Sequence, residues 1–405
     1  MHLTNEEEQT LQGEFGKGMQ KAMELLVAIG DAYDAERMIP ITRAHAASSG
    51  QEGDLYYVEL LANGGATCRV PTSINPVYDV EYFDRIIKIP EEKAEVPVRV
   101  REAYKRIGAI LSWSCIPYIT ENIPLYGETV AFSESSATPY VNSVIGATTN
   151  REAAQSALAA GVIGSTPLYG LHLKENRKGT FLVEVEATLT DEFDYSLLGY
   201  YVGKHIGYEI PVFTGIAKRP TTEDLINLCA ILNTSGAVSM FHIPGITVEA
   251  PTLEEAFQGD TPKDKMTVTD HDLTQTHEEI QTTSGKIDFI LLGCPHYTLK
   301  QVAEVARLLE GKKIHPDVGF WICTSATGRL LAKRAGYVDT IERAGGHVVP
   351  DTCIDEPCFS HMYKEKIAVT DSPKCAYYGV GPRFKGAVVV RLKDCVEAAI
   401  KGQWG

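Results

Sequence analysis

Hydrophobic spacing near the start of the chain is helical. Thr4 followed by Glu7 forms a capping-box pattern, and Leu11, Phe15, Met19, Met23 and Leu26 then recur on one helical face. Met38 to Thr42 reads as a strand, Asp54 to Leu61 as a helix, and Thr67 to Val70 as a second strand stopped by Pro71. Val98 to Leu111 has the composition of a helix. Asn150-Arg151-Glu152 is placed to cap another, alanine-rich, helix running through Ala160. Phe181 to Ala187 alternates as a strand, and the short apolar runs near Val238 to His242 and Phe289 to Leu292 suit buried parallel strands.

The last quarter of the chain repeats this grammar. Leu299 to Leu309 and Gly328 to Ala335 are helical; Phe320 to Cys323, His347 to Val349, Lys366 to Val369 and Ala387 to Arg391 are strands. The alternation predicts an α/β, multi-domain architecture of mostly parallel sheets flanked by helices, with ligands collecting at the carboxyl ends of strands. A chain of 405 residues exceeds the roughly 250–300 residues at which single cores stop growing. Three lobes are expected, over residues 1–145, 146–285 and 286–405, the third carrying two of the cysteines discussed below. No internal repeat or low-complexity tract interrupts them, although Gly259 to Asp264 is a polar, turn-rich break.

With 44% hydrophobic and 22% charged residues, the composition excludes long disorder. The formal net charge of -15 argues against nucleic acid or an anionic membrane as partner, because both need basic stripes. An anionic substrate would need local donors. The acidic start lacks the pattern of a secretory signal, and no apolar run is long enough to span a bilayer, so a cytoplasmic location is expected. Nine cysteines without regular spacing do not resemble a disulfide framework. Reduced thiols or metal ligands remain.

Three cysteines stand beside prolines: Cys115 in Trp113-Ser114-Cys115-Ile116-Pro117, Cys294 in Gly293-Cys294-Pro295-His296, and Cys353 in Pro350-Asp351-Thr352-Cys353. No helix runs smoothly through them, so each sulfur is expected at a bend. Three thiolates would leave one coordination position of a metal open, as catalysis requires. Small buried hydrophobes are the competing reading, and Cys323, Cys358 and Cys375 also lie near strand or loop ends. Spacing alone does not choose among them. His296 could orient a substrate or satisfy a backbone group.

Ser48, Ser49 and Gly50, between the strand-like segment holding His45 and a helix, could form an anion-binding turn. Asn75 with Pro76, Glu134 with Ser135, and Ser372 with Lys374 are further candidates for holding substrate, each with turn, capping or solvation as its ordinary alternative. A nucleophile elbow, a Walker loop and an ordered dinucleotide fingerprint are all absent from the sequence. Asp270-His271-Asp272 reads as a helix cap.

The Glu-rich opening helix, Trp113 to Tyr118, Asn142 to Gly146, Tyr169 to His172, Leu292 to His296 and Asp351 to Cys353, in that order, resemble the aconitase X family over nearly the whole chain. The resemblance implies an aconitase-like fold with the metal site between lobes, and a dehydratase in which Cys115, Cys294 and Cys353 hold a [4Fe-4S] cluster. The alternatives are [3Fe-4S], [2Fe-2S] or mononuclear iron. It also implies a small swivelling subunit that forms a heterodimer with a large chain such as this one and carries the catalytic base, a serine.

Family members include a phosphomevalonate dehydratase of archaeal type, which makes trans-anhydromevalonate 5-phosphate, and a bacterial cis-3-hydroxy-L-proline dehydratase. The small residues after Ala44-His45 and the stretch Gly170 to Arg177 look closer to the archaeal type. A phosphorylated substrate is therefore expected, with hydroxyproline as the alternative. A non-catalytic metal-binding chain is the alternative from another class.

Overall fold

Almost every position of five short apolar runs in the last third of the chain is buried, the condition for parallel strands covered on both faces. In this computed structural model, which describes residues 1–87 and 89–404, they form one parallel sheet. Its order is His347–Pro350, Gly319–Thr324, Phe289–Leu292, Ile367–Thr370, Gly386–Val389. Side chains alternate across it: Ile290, Leu292, Phe320, Ile322 and Val348 join one cluster, with the helices Leu299–Leu309, Tyr337–Ala344 and Leu392–Lys401. Phe289, Leu291, Trp321, Cys323 and Val349 face the other way, into a cluster shared with Phe132 and Leu228 of earlier segments. The sheet is thus joined to the rest of the molecule through a common core.

From the central strand Phe289–Leu292 the chain winds outward to one edge, then returns to Ile367–Thr370 beside it and winds to the other. That reversal opens a crevice at the carboxyl ends of the two adjacent strands. Cys294 and the Ser372–Lys374 segment leave from those ends.

Two smaller parallel sheets precede it. Pro211–Thr214, Phe181–Val185 and Asp264–Val268 form one, and the helices Glu192–Ile206 and Thr222–Gly236 of the same region pack on each other. Gly203 and Gly236 permit that packing, since a Cβ at Gly236 would stand 2.3 Å from the Gly203 carbonyl oxygen. Thr72–Ile74, Ala44–Ala46 and Ala131–Phe132 form the other, covered by the helix Ala154–Ile163. Ser165–Pro167 pairs antiparallel with Met38–Pro40, so the chain through residue 167 packs on this first sheet.

Several expected elements shift, each for a local reason. The opening helix divides into Asn5–Leu11 and Lys17–Ala32 because Gly13 and Gly16 adopt φ of 87° and 100°. Thr67 to Val70 is not a strand. The strand is Thr72–Ile74, with Pro71 ahead of it offering its carbonyl to Ala44 N–H at 2.9 Å. The helix expected at Val98 to Leu111 is Glu91–Arg106, with Pro97 in its second turn. Val238 to His242 is not a strand; only His242 bridges, to Val212. Asn150, Arg151 and Glu152 do not cap the next helix, which starts at Ala154 after Ala153. No helix among the described residues is long and apolar enough to cross a membrane.

Candidate active site

A cavity of about 510 Å³ is lined by the segments that follow six strands and by the loop bearing Cys115. Ala44–Ala46 leads into Ser48 and Ser49, Thr72–Ile74 into Asn75 and Pro76, and Ala131–Phe132 into Glu134 and Ser135. The large sheet supplies Cys294, Cys353 and Lys374. All of these side chains, with Cys115, line one space, although 181 residues separate Cys115 from His296, whose backbone N–H reaches its sulfur at 3.2 Å.

Two candidates stand behind the wall. Gly50 gives its N–H to Glu356 Oε1 at 3.1 Å. Ser372 donates to the Cys294 carbonyl and accepts from Cys375 N–H at 3.1 Å, fixing the Cys294 loop and capping the helix Pro373–Gly379. Both position lining residues.

The expected bends are present. Trp113 and Asp351, two residues before Cys115 and Cys353, have φ of 42° and 55°, a left-handed backbone that disfavours regular structure. Glu134, at φ 90°, is strained in the same sense, at a cost of about 1–3 kcal/mol. Its partners hold it there: Lys374 Nζ donates at 2.7 Å, Asn75 Nδ2 at 2.9 Å and Ser135 Oγ at 2.7 Å. Burial pushes this carboxyl up, but Lys374 beside it prevails and holds it at about 2. For Lys374, burial opposes the charge, and Glu134 keeps it well above the ordinary range.

His45 serves this pair from behind. Its Nε2 lies 3.0 Å from Asn75 Oδ1 and its Nδ1 3.0 Å from Ser73 Oγ. Since the Asn75 amide nitrogen donates to Glu134, its oxygen accepts from His45 Nε2–H. Burial lowers His45 to about 4, so the ring is neutral near pH 7 and orients Asn75.

Burial pushes the Cys115 thiol to about 12 and the Cys294 thiol to about 11, and holds the Cys353 thiol well above its ordinary value. A bound cation is what would deprotonate them. The amides of His296 and Asp355 donate to Cys115 Sγ at 3.2 Å and Cys353 Sγ at 3.4 Å, hydrogen bonds of the kind that stabilise negative charge on a metal-bound sulfur. The donor set therefore fits a soft metal centre. Cys115, Cys294 and Cys353 all line the cavity, although among the described residues no group of three His, Cys, Asp or Glu stands close enough to hold a single metal ion. Cys323, Cys358 and Cys375 are fully buried and line no part of the cavity.

His296 also lines the wall. Its Nε2–H donates to the Thr352 carbonyl at 2.9 Å, leaving Nδ1 buried without a protein partner. Burial lowers it to about 4, so Nδ1 offers a lone pair. Glu356, Arg151 and Asn233 line the cavity without having been expected as site residues. Burial pushes Glu356 to about 8, and its second oxygen has no partner. The only sequence signal at Glu356 was its place before Pro357; Arg151 read as part of a cap.

Parallel strands whose carboxyl ends bring three thiols, a buried ion pair and hydroxyls around one cavity define a dehydratase of the aconitase-like type. Residues 1–175 match the aconitase X first domain, 179–278 the second and 287–401 the third. The chain belongs to the aconitase X family.

It is 42% identical to the phosphomevalonate dehydratase large subunit of Methanothermobacter thermautotrophicus, over 94% of each chain, and 39% identical to that of Thermococcus kodakarensis, over 99% of each. It is 33% identical to the cis-3-hydroxy-L-proline dehydratase of Pseudomonas aeruginosa, over 97% of this chain and 69% of the relative. The crystal structure of Thermococcus kodakaraensis aconitase X in its holo-form superposes with a TM-score of 0.89 at 37% identity, covering 98% of this chain and all of that one.

Proposed function

We propose that this chain is the large subunit of an iron-sulfur hydro-lyase that dehydrates (R)-5-phosphomevalonate to trans-anhydromevalonate 5-phosphate in a mevalonate route to isoprenoids. The observation that carries this is the single cavity shared by Cys115, Cys294, Cys353 and the Glu134–Lys374 pair. Five archaeal relatives named for this activity, 32–42% identical and four of them at 36% or more, support the substrate over hydroxyproline, whose named dehydratases are 33% and 30% identical.

Cys115, Cys294 and Cys353 are the proposed ligands, and a [4Fe-4S] cluster the proposed group. Three cysteines lining one cavity are consistent with this group, with [3Fe-4S], [2Fe-2S] or mononuclear iron as the alternatives. Bound by these three thiolates, the group would supply Lewis acidity for loss of the substrate hydroxyl.

The chain's own groups bind and orient. Lys374 spends one donor on Glu134 and has others for a substrate oxygen. Asn75, held by His45 and Glu134, and Ser48 and Ser49 on the neighbouring loop complete a polar wall, with Pro76 as its apolar part. Ser135 and Glu134 set the lysine, while Gly50 and Ser372 fix the loops behind. His296, through Nε2–H given to the Thr352 carbonyl, ties the Cys294 and Cys353 loops together.

The base that removes the neighbouring proton is assigned to a serine of a small swivelling subunit, in keeping with relatives named as large subunits. The working form is then a cytoplasmic heterodimer. The test is product analysis by NMR with both substrates, with and without the small subunit, under anaerobic conditions. Water loss from phosphomevalonate only when both chains are present is expected. Turnover of hydroxyproline instead, or full activity of this chain alone, refutes the assignment.

A further inference from the structure

A substrate with a carboxylate at one end and a phosphate at the other is held best by two separate groups of donors, and cationic ones count most in a chain whose net charge is -15. Among the described residues two cations line the cavity, Lys374 and Arg151. Lys374 is paired with Glu134 at 2.7 Å and stands among the thiols. Arg151 has no ion pair among the described residues; its Nε–H donates to Asn233 Oδ1 at 3.1 Å.

That contact aims the guanidinium. Asn233 is 1% exposed and donates its own Nδ2 to the Val238 carbonyl at 3.1 Å, so its oxygen is turned to Arg151. The two terminal nitrogens of Arg151 keep their donors free, in the fork that suits phosphate. The wall beside it carries little opposing charge. Glu152 is buried and takes a hydrogen bond from Ser156, and its carboxyl is raised by burial. Asp355 is occupied by Arg383 Nε at 2.8 Å. Ala153 and Ala154, also in the wall, begin the ten-residue helix Ala154–Ile163, whose N-cap supplies no side-chain bond to the first-turn amides.

We propose that Arg151, oriented by Asn233, receives the substrate's phosphate and thereby selects a phosphorylated hydroxy acid over its unphosphorylated counterpart. The inference rests on the phosphomevalonate reading and adds the specificity residue. Arg151 is a binding residue, remote from the thiols in role, so its loss should weaken binding more than turnover.

The test uses the anaerobically assembled two-subunit enzyme, with KM and kcat measured for (R)-5-phosphomevalonate and dissociation constants measured by calorimetry for phosphomevalonate and (R)-mevalonate. Arg151→Gln should raise KM and the dissociation constant for the phosphorylated ligand roughly 10- to 100-fold, with kcat changed less. Mevalonate affinity should be unchanged, Arg151→Lys should fall between, and Asn233→Ala should reproduce part of the loss. Far-ultraviolet circular dichroism checks that each variant is folded. If Arg151→Gln binds phosphomevalonate as wild type does, or loses affinity equally for both ligands, the inference is overturned. Wild-type enzyme that binds neither ligand overturns the substrate reading itself, a result distinct from a silent Arg151 variant.

Discussion

Replacing Lys374 with methionine removes the positive charge and keeps most of the side-chain volume. Glu134 is then left in a site where its side chain is only 11% exposed, still bonded by Asn75 and Ser135 but without a counter-ion. Burial pushes that carboxyl up and Lys374 holds it down, to about 2 against an ordinary 4.5. At 1.36 kcal/mol for each pK unit the difference is worth about 3 kcal/mol, which falls at the lower edge of the roughly 3–5 kcal/mol measured when one partner of a buried pair is removed. Because the folded value is depressed, the pair's contribution is present above the unfolded value of 4.5 and disappears as pH falls through about 2. In Lys374→Met the sign reverses: burial alone raises Glu134, so the variant gains relative stability as pH is lowered from 8 to 5.

Urea unfolding of the metal-free chain, followed by tryptophan fluorescence at pH 5 and pH 8, should show the variant about 3 kcal/mol less stable at pH 8. The gap should narrow at pH 5, and Glu134→Gln/Lys374→Met should recover most of the loss at pH 8. Equal destabilisation in the single and double variants, independent of pH, would falsify the electrostatic account and leave lost packing as the cause.

The other predictions concern the thiols and the loops behind them. Anaerobically reconstituted wild-type chain should bind iron and absorb visible light; Cys115→Ser, Cys294→Ser and Cys353→Ser should each lose most of that iron, while Cys323→Ser, altered within the sheet core, should keep it by metal analysis. Gly50→Ala would put a Cβ 2.5 Å from Glu356 Oε2 and 3.0 Å from Val77 Cγ1, so it should displace the Ser48–Gly50 loop and raise KM at least several-fold, with little change in far-ultraviolet circular dichroism. Gly293→Ala meets the Cys323 carbonyl oxygen at 2.2 Å with φ at 93°, and should reduce the yield of folded chain in a solubility assay. Glu356 titrates at about 8 when folded against 4.5 unfolded, so its cost is absent below pH 4.5 and grows as pH rises through 8. Glu356→Gln should therefore gain stability over wild type in urea melts at pH 8 but not at pH 5.

Strand and helix alternation in the last third of the chain was legible because its period comes from local geometry: Phe289–Leu292, Leu299–Leu309 and His347–Pro350 fall where the pattern puts them. Prolines next to the cysteines likewise implied bends, since a pyrrolidine restricts its own and the preceding residue's backbone whatever the rest of the chain does. The first lobe was harder to read. Gly13 and Gly16 break a sound helical pattern, and Pro71 moves a strand past itself.

Which of nine cysteines meet in a cavity is not a local property. Cys323 lies as near a strand end as Cys294 does, and Cys375 follows a neighbouring strand in the helix Pro373–Gly379, yet both are packed into the core; Cys115 is brought to the others from another sheet's neighbourhood. Gly50 meets Glu356 across 306 residues, and Arg151 meets Asn233 across 82. Such contacts depend on how three sheets share one core and where the large sheet reverses its winding. Local pattern carried most of the elements of the last third, the bends at the cysteines and the family likeness; packing across the chain set the membership of the site, because burial, ion pairing and hydrogen bonding there act between segments whose local preferences carry no record of one another.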